Sequence, residues 1–209
     1  MTKLADETSY LVAEAISQVV EGLDVFLTEG SQAQAQFKAL VSHLMQKNYD
    51  RLGFEPQADE SDEDEMVRQN TISLMLYADN EDAVTKAETI FHQYKDNIEA
   101  IPASIRLSVL ANQIKHAETE ELVSLYFNTY VKTNDGNFRR QLASALSNTK
   151  SEATIERILS TLKNKDIVKP QDLAMSWYRP FLEKDFAQEH SGLGHVKTGL
   201  GFNQLLVVT

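Results

Sequence analysis

Apolar residues recur every three or four positions along almost the whole chain, and this helical period constrains the fold more than any other feature. The clearest stripe begins at Leu11 and consists of Val12, Ala15, Ile16, Val19, Val20, Leu23, Phe26 and Leu27. One such stripe is typical of an amphipathic helix with one face against a core. A second stripe runs from Phe37 to Leu52, so we predict that the first two helices pack antiparallel. No strand pattern precedes the C-terminal tail.

Seven further stripes follow, and several carry signals for helix starts or turns. Pro102 and Pro170 suit first helical turns, and Asn134 to Asn137 form a turn cluster. The predicted helices centre on residues 66–76, 84–94, 105–114, 122–131, 138–146, 155–162 and 173–181. Helix pairs recur about every 35 to 40 residues, a spacing typical of stacked helical hairpins. The predicted fold class is therefore all-α, an α-α superhelix or HEAT-like solenoid, with an irregular helical bundle as the alternative.

Composition limits the possible partners and compartment. The 209 residues include 20 Lys and Arg against 31 Asp and Glu, and the resulting net charge of -11 disfavours nucleic acid and anionic membranes as partners. The chain has no cysteine, so it has neither disulfides nor a thiolate zinc site. The N-terminus lacks a signal-peptide pattern, and no apolar run has the ~20 residues of a membrane span. We therefore expect a cytoplasmic protein.

The segment from Tyr49 to Arg68 predicts a helix stop followed by a new helix start. Gly53 is placed to end the preceding helix, and Pro56 prevents its continuation. The acidic run 59–65 then opens the next helix, where negative charge stabilises the unpaired amides. Asp62 and Glu65 have the spacing of an N-cap and its third helical residue. An EF-hand interpretation fails, because Asp64 stands where that loop requires glycine.

No catalytic, cofactor-binding or metal-ligating residue is assigned in this chain. The five histidines, His43, His92, His116, His190 and His195, offer no pair one helical turn apart, as a zinc hydrolase requires. His92 and His116 are expected on helices, at the surface or at its boundary with the core. Phe91, Tyr94, Tyr126, Phe127, Tyr130 and Phe138 have helical spacing and are expected in the core. Four arginines, Arg68, Arg106, Arg139 and Arg140, are interpreted as surface ion pairs, with the concave side of a solenoid as the alternative.

Several blocks resemble a known family when they are considered in order. The blocks are Tyr49-Asp50-Arg51-Leu52-Gly53-Phe54-Glu55-Pro56, the following acids with Val67-Arg68, Ile101-Pro102-Ala103-Ser104-Ile105-Arg106, and Phe138-Arg139-Arg140-Gln141-Leu142-Ala143-Ser144-Ala145-Leu146. They resemble the C-terminal helical domain of aminopeptidase N-type zinc aminopeptidases, peptidase family M1. Lys165-Asp166-Ile167-Val168-Lys169-Pro170-Gln171-Asp172 is similar to the lactic-acid-bacterium-like branch. The resemblance extends from about Tyr10 to about Glu189.

The resemblance implies a non-catalytic role inside a larger enzyme that removes N-terminal residues from peptides. Family members hold zinc in a catalytic domain on a His-Glu-x-x-His helix, and they bind the substrate's N-terminus through a Gly-x-Met-Glu-Asn loop. Neither motif is present here. The implied partners are the parent's catalytic domain and, in the full enzyme, peptide substrates that the C-terminal domain encloses in a chamber. The chain is expected to be truncated at both ends relative to that enzyme, with no cofactor of its own. The alternative is a free-standing HEAT-like scaffold that binds other proteins.

The tail departs from the family pattern. We predict a partial helical domain over residues 1–189 and an aberrant segment over 190–209, which lacks Asp and Glu and contains four of the eight glycines. Related enzymes resemble Trp-x-Trp-x-x-x-Asn-Trp-x-Trp in this region. Shifting the reading frame back by one base over Gly192 to Gly201 permits that pattern. A frameshift is therefore our hypothesis, with poor packing or a non-family conformation expected after about His190.

Overall fold

Helices account for all the regular secondary structure in the described residues, which contain no β-strand. The computed structural model describes residues 5, 7–24, 26–56, 59–164, 167, 168 and 177. The helices are α1 (Tyr10–Asp24), α2 (Gln32–Leu52), α3 (Asp62–Tyr77), α4 (Glu81–Tyr94), α5 (Ala103–Ala117), α6 (Glu120–Lys132), α7 (Gly136–Leu146) and α8 (Glu152–Leu162), with a 3₁₀ turn at Ile98–Ala100. The all-α fold class is confirmed, and the superhelical arrangement stays a prediction. The predicted ninth helix lies outside the described residues, apart from Trp177.

Side chains cap the N-termini of six of these helices. In each case a side-chain oxygen just before the helix accepts a hydrogen bond from a backbone amide in the first turn, which satisfies a donor that has no partner within the helix. The capping residues of α2, α3, α4, α6, α7 and α8 are Ser31, Ser61, Asn80, Thr119, Asp135 and Ser151. Local sequence therefore determines where these helices begin.

Gly53 ends α2, as the sequence predicted. Its backbone N–H donates to the Tyr49 carbonyl oxygen at 2.9 Å, and its φ is 57°. A Cβ built on Gly53 would meet nothing within 4 Å, so the requirement for glycine comes from backbone conformation rather than from crowding.

The contacts divide the chain into two compact units, with the boundary between Gln113 and Ile114 in α5. In the first unit, α3 is the central helix and packs against α1, α2 and α4. Its side chains Val67, Ile72 and Met75 are fully buried. The first two helices contact each other, but the principal partner of both α1 and α2 is α3, and the predicted antiparallel direction stays a prediction.

The first apolar stripe does not form a single buried face. Ile16 and Val20 are buried together with Ala13, but Leu11 is 75% exposed and Val19 is 56% exposed. The stripe is wider than the surface that α2 and α3 cover. The helix also ends at Asp24, so Phe26, which is 81% exposed, lies beyond it.

The second unit has an aromatic core between α6 and α7, which pack against each other. Tyr126, Tyr130 and Phe138 are fully buried, and the Trp177 indole N–H donates to the Tyr130 hydroxyl at 3.0 Å. The expectation that the aromatic residues belong to the core is confirmed here. In the first unit Phe91 is buried as well, and Tyr94 is half-buried.

Among the described residues, no helix combines the length and the apolar composition that a membrane crossing requires.

Candidate functional site

The acidic run before and within the start of α3 is the first candidate site, because its acids are densely clustered in the sequence. Ser61 caps α3, because its hydroxyl oxygen accepts a hydrogen bond from the Asp64 backbone N–H at 3.1 Å. Residues 62–65 form the first turn. The capping interpretation is confirmed, but the N-cap is Ser61 rather than Asp62. The serine was a recognisable signal, since its hydroxyl has the same capping chemistry as an aspartate.

Glu60 and Arg68 form a buried ion pair beside this cap. The Glu60 side chain is 7% exposed and that of Arg68 is 1% exposed. The Arg68 guanidinium donates to both carboxylate oxygens and to the Glu55 carbonyl oxygen at 3.4 Å. Arg68 therefore joins the segment that follows α2 to the body of α3. The interpretation of Arg68 as part of a surface ion pair is wrong.

Two more acids of the run connect α3 to its neighbours. The Glu63 carboxylate accepts a hydrogen bond from the Tyr10 backbone N–H at 3.2 Å, which places a negative charge at the N-terminus of α1. Asp64 accepts from the Arg51 guanidinium at 2.6 Å, near the end of α2. The sequence predicts these acids only as charges that stabilise the first turn of α3, and it does not predict these contacts. Together with the pair of Glu60 and Arg68, these contacts connect α3 to α1 and α2.

Neither a calcium site nor a zinc site is formed by the described residues. In these parts of the chain, no three His, Asp or Glu side chains come together in a way that could hold a metal ion. The acids of the run point to different partners, as described above. His43, His92 and His116 are exposed and lie on α2, α4 and α5. His190 and His195 lie outside the described residues.

A cleft of ≈ 440 Å³ lies between α2 and the start of α4, and it is the second candidate site. It is lined by Gln46, Tyr49, Asp50, Gly53, Asn80, Asp82 and Lys86. The Tyr49 hydroxyl donates to Asp82 at 2.7 Å, and the Lys86 ammonium lies 2.7 Å from the same carboxylate. Lys86 also lies 5.1 Å from the centre of the Tyr49 ring. A tyrosine, a carboxylate and an amine, which could serve catalysis elsewhere, are thus used to join two helices.

The ionisation behaviour of this cleft agrees with a structural role. Burial, followed by the hydrogen bond to Asp82, raises the pKa of Tyr49 well above its ordinary value. Lys86, followed by Tyr49, lowers the pKa of Asp82 below its ordinary value. Tyr49 is therefore a neutral donor and Asp82 an ionised acceptor at neutral pH. Neither group is set to exchange a proton with a substrate near pH 7.

A third cleft, of ≈ 380 Å³, lies in the second unit at the starts of α6 and α8. The Glu118 carboxylate accepts hydrogen bonds from the hydroxyls of Thr149, at 2.8 Å and 2.9 Å, and of Thr154, at 2.6 Å. Arg157 donates to the Ser124 hydroxyl at 2.8 Å, and its guanidinium lies 4.6 Å from the centre of the Phe127 ring. These contacts join the segment before α6 to the start of α8, and α8 to α6.

The remaining candidate arginines include two that stabilise turns. Arg106 is buried and donates to the carbonyl oxygens of Ile101 at 3.0 Å and Glu99 at 2.7 Å, which fixes the turn before α5. Arg139 donates to the Thr133 carbonyl oxygen at 2.7 Å, before α7. Arg140 is exposed. The surface interpretation is therefore wrong for Arg106 as well.

The sequence did contain a signal for the burial of Arg68. In a helix, residues four and seven positions later lie on the same side, and for Arg68 these are Ile72 and Met75, both fully buried. The partner Glu60 could not be identified in this way, because it lies before the helix. The conclusion from all three candidate sites is that their polar groups hold helices together.

Comparison with known proteins relates most of the chain to one family. Residues 1–189 match the family model described as the ERAP1-like C-terminal domain. A similar protein, aminopeptidase N of Lactococcus lactis subsp. lactis, is 48% identical over 184 residues, which cover 88% of this chain and 22% of that protein.

Two further relatives are also named aminopeptidase N. The protein of Lactobacillus helveticus is 37% identical over 189 residues, covering 90% of this chain and 22% of the relative. That of Lactobacillus delbrueckii subsp. lactis is 33% identical over 181 residues, covering 87% and 21%. The chain therefore spans about a fifth of the length of these relatives.

Proposed function

We propose that this chain serves as a non-catalytic helical domain of an aminopeptidase. The chain belongs to the ERAP1-like C-terminal domain family. The expected relation to the aminopeptidases N of lactic acid bacteria is confirmed by the three relatives. The single observation that carries the proposal is the match of residues 1–189 to a family defined as a C-terminal domain. The rest of such an enzyme is then the partner of this chain.

The proposed mechanical role is to enclose the chamber in which peptides reach the catalytic centre. In support, the buried pair of Glu60 and Arg68, and the hydrogen bond from Tyr49 to the exposed Asp82, hold helices of the first unit in fixed relation. A wall that excludes solvent must be rigid, and buried ion pairs and hydrogen bonds restrict motion. We further propose that the helix pairs stack as a superhelix in the complete enzyme, and that this enzyme is cytoplasmic.

Zinc, which the resemblance implies for the parent enzyme, does not fit the described part of this chain. No group of metal-ligating side chains converges there, and the sequence has no His-Glu-x-x-His. We place the metal in the portion of the relatives outside the match. When bound there, zinc would activate the water that attacks the peptide bond. The residues of this chain would hold helices rather than take part in that step.

A domain exchange tests the proposal. A chimera is built from Lactococcus lactis subsp. lactis aminopeptidase N, with its matched region replaced by residues 10–189 of this chain. We expect the chimera to release N-terminal residues from peptides, whereas the purified chain of 209 residues releases none from an amino-acid amide in the presence of zinc. Zinc-dependent release by the purified chain alone would contradict the non-catalytic role.

The chamber is tested separately, by deleting the matched region from the lactococcal enzyme. If this region encloses the substrate, the deletion changes the ratio of activity on short and long peptides, and the chimera restores that ratio. An unchanged ratio in the deletion variant would contradict the enclosing role. A chimera that does not fold or act, with a purified chain that captures other proteins, would favour an independent interaction scaffold instead.

A further inference from the structure

Helix α1 has a wide apolar surface, and the described structure covers only part of it. Ala13, Ile16 and Val20 are buried in the first unit, where α1 packs against α3 and α2. On the uncovered part, Leu11, Ala15, Val19 and Leu23 are exposed, with exposed fractions of 75% for Leu11, 56% for Val19 and 46% for Leu23. We call these four residues the α1 ridge.

The spacing of the ridge indicates what kind of surface it can contact. Its members follow one another at intervals of four residues, and rows with this spacing form the ridges that pack into the grooves of a neighbouring helix. By contrast, Met66, Leu107 and Val131 are exposed apolar residues that lie singly on three different helices. Scattered exposed apolar residues are normal on a protein surface, whereas an aligned row marks a contact.

The relatives supply an occupant for the ridge. The match lies in a family defined as a C-terminal domain, and about four-fifths of each relative lies outside it. Helix α1 precedes helices α2 to α8 in the chain. We propose that the α1 ridge seats a helix from the part of an aminopeptidase N polypeptide that precedes the matched region. This inference rests on the proposed function and adds to it the surface through which the domain is attached.

Charge distinguishes this occupant from a second copy of the chain. Glu21 is exposed on α1, and the chain as a whole has a net charge of -11. Two copies meeting at this surface would bring like charges together, which is unfavourable in an interface. The seated helix is therefore one with an apolar row and with basic residues on the side of Glu21.

The absence of cysteine from the sequence allows a direct test by thiol labelling. Val19→Cys is made in the chain of 209 residues and in the chimeric enzyme described above, and its reaction with a maleimide is followed by peptide mass spectrometry. Val131→Cys on α6 is the matched control, because Val131 is 54% exposed and Val19 is 56% exposed. Both sites should react at similar rates in the isolated chain.

In the chimera, labelling at residue 19 should slow by at least about tenfold, because the thiol then reacts only after local opening. Labelling at residue 131 should stay fast.

An active chimera in which residue 19 is labelled as fast as in the isolated chain would overturn the ridge contact and leave the proposed function standing. Equal slowing at both positions would overturn it too. An isolated chain that sediments as a dimer and is protected at residue 19 would overturn it by identifying a second copy as the occupant. An unfolded or inactive chimera would overturn the proposed function and this inference with it.

Discussion

Individual acids that are equivalent in the sequence have different physical roles in the folded chain. Glu60 and Asp64 both belong to the run before and within α3, and each contacts an arginine. Glu60 lies in a buried pair with Arg68, whereas the Arg51 side chain that contacts Asp64 is 37% exposed. A buried charge that loses its partner remains desolvated, and an exposed one is solvated by water.

We therefore expect Glu60→Ala to lower the free energy of unfolding by about 3 to 5 kcal/mol, because Arg68 stays buried without its carboxylate. The matched change in the exposed pair, Arg51→Gln, should cost about 1 kcal/mol or less. Urea denaturation followed by circular dichroism measures both. Equal losses in the two variants would show that the burial of Arg68 does not control the effect.

The Asp82 carboxylate predicts a pH dependence of stability. Lys86, followed by Tyr49, lowers its pKa in the folded chain, so the unfolded chain binds more protons at acidic pH. The stabilisation is present above the unfolded pKa of about 4 and is lost as the pH falls through the lower pKa of the folded chain. The stability difference between wild type and Asp82→Asn should thus be largest at neutral pH and should shrink below about pH 4.

Urea midpoints measured from pH 3 to pH 7 test this expectation. Repeating the series in a Lys86→Met background gives the control, since the largest cause of the lowered pKa is then removed. In that background, the effect of Asp82→Asn should become smaller and less dependent on pH. A difference between wild type and Asp82→Asn that grows as the pH falls would contradict the assigned sign.

Among the helices, starts and stops follow local chemistry closely. The stop at Gly53 and the caps before α4, α6, α7 and α8 use residues within three or four positions of the groups that they satisfy. This short range is the reason that the sequence predicts the helices well. The predicted N-cap of α3 differs from the observed one by a single residue, because Ser61 rather than Asp62 is the cap.

Two glycines in the first two helical segments should respond oppositely to alanine. Gly53→Ala should cost about 1 to 2 kcal/mol, because its φ of 57° disfavours a side chain. Gly22→Ala, inside α1, should stabilise by up to about 1 kcal/mol, because a Cβ there meets nothing within 4 Å. Thermal unfolding of the two variants measures the signs. A stabilised Gly53→Ala would contradict the backbone argument.

For the chain as a whole, the family match ends at residue 189, where the tail changes composition. Residues 190–209 lie outside the described residues, so the expected non-family conformation there stays a prediction. The frameshift hypothesis has a direct test in the nucleotide sequence. Codons for Gly192 to Gly201 should encode Trp-Ser-Trp-Ala-Arg-Glu-Asn-Trp-Ala-Trp when translated one base earlier. Codons incompatible with those tryptophans would eliminate the hypothesis.

The all-α class and the approximate helix positions could be predicted from the amino-acid sequence, because apolar period and capping depend on residues close together in the chain. The family could be predicted only from the resemblance of short sequence blocks. The folded structure was needed to establish which side of α1 is covered, that Arg68 pairs with Glu60, and that Tyr49 donates to Asp82, 33 positions away. A helical period shows that a face is apolar but not which neighbour covers it. Partner choice depends on how helices meet, and that geometry is set by packing over the whole unit.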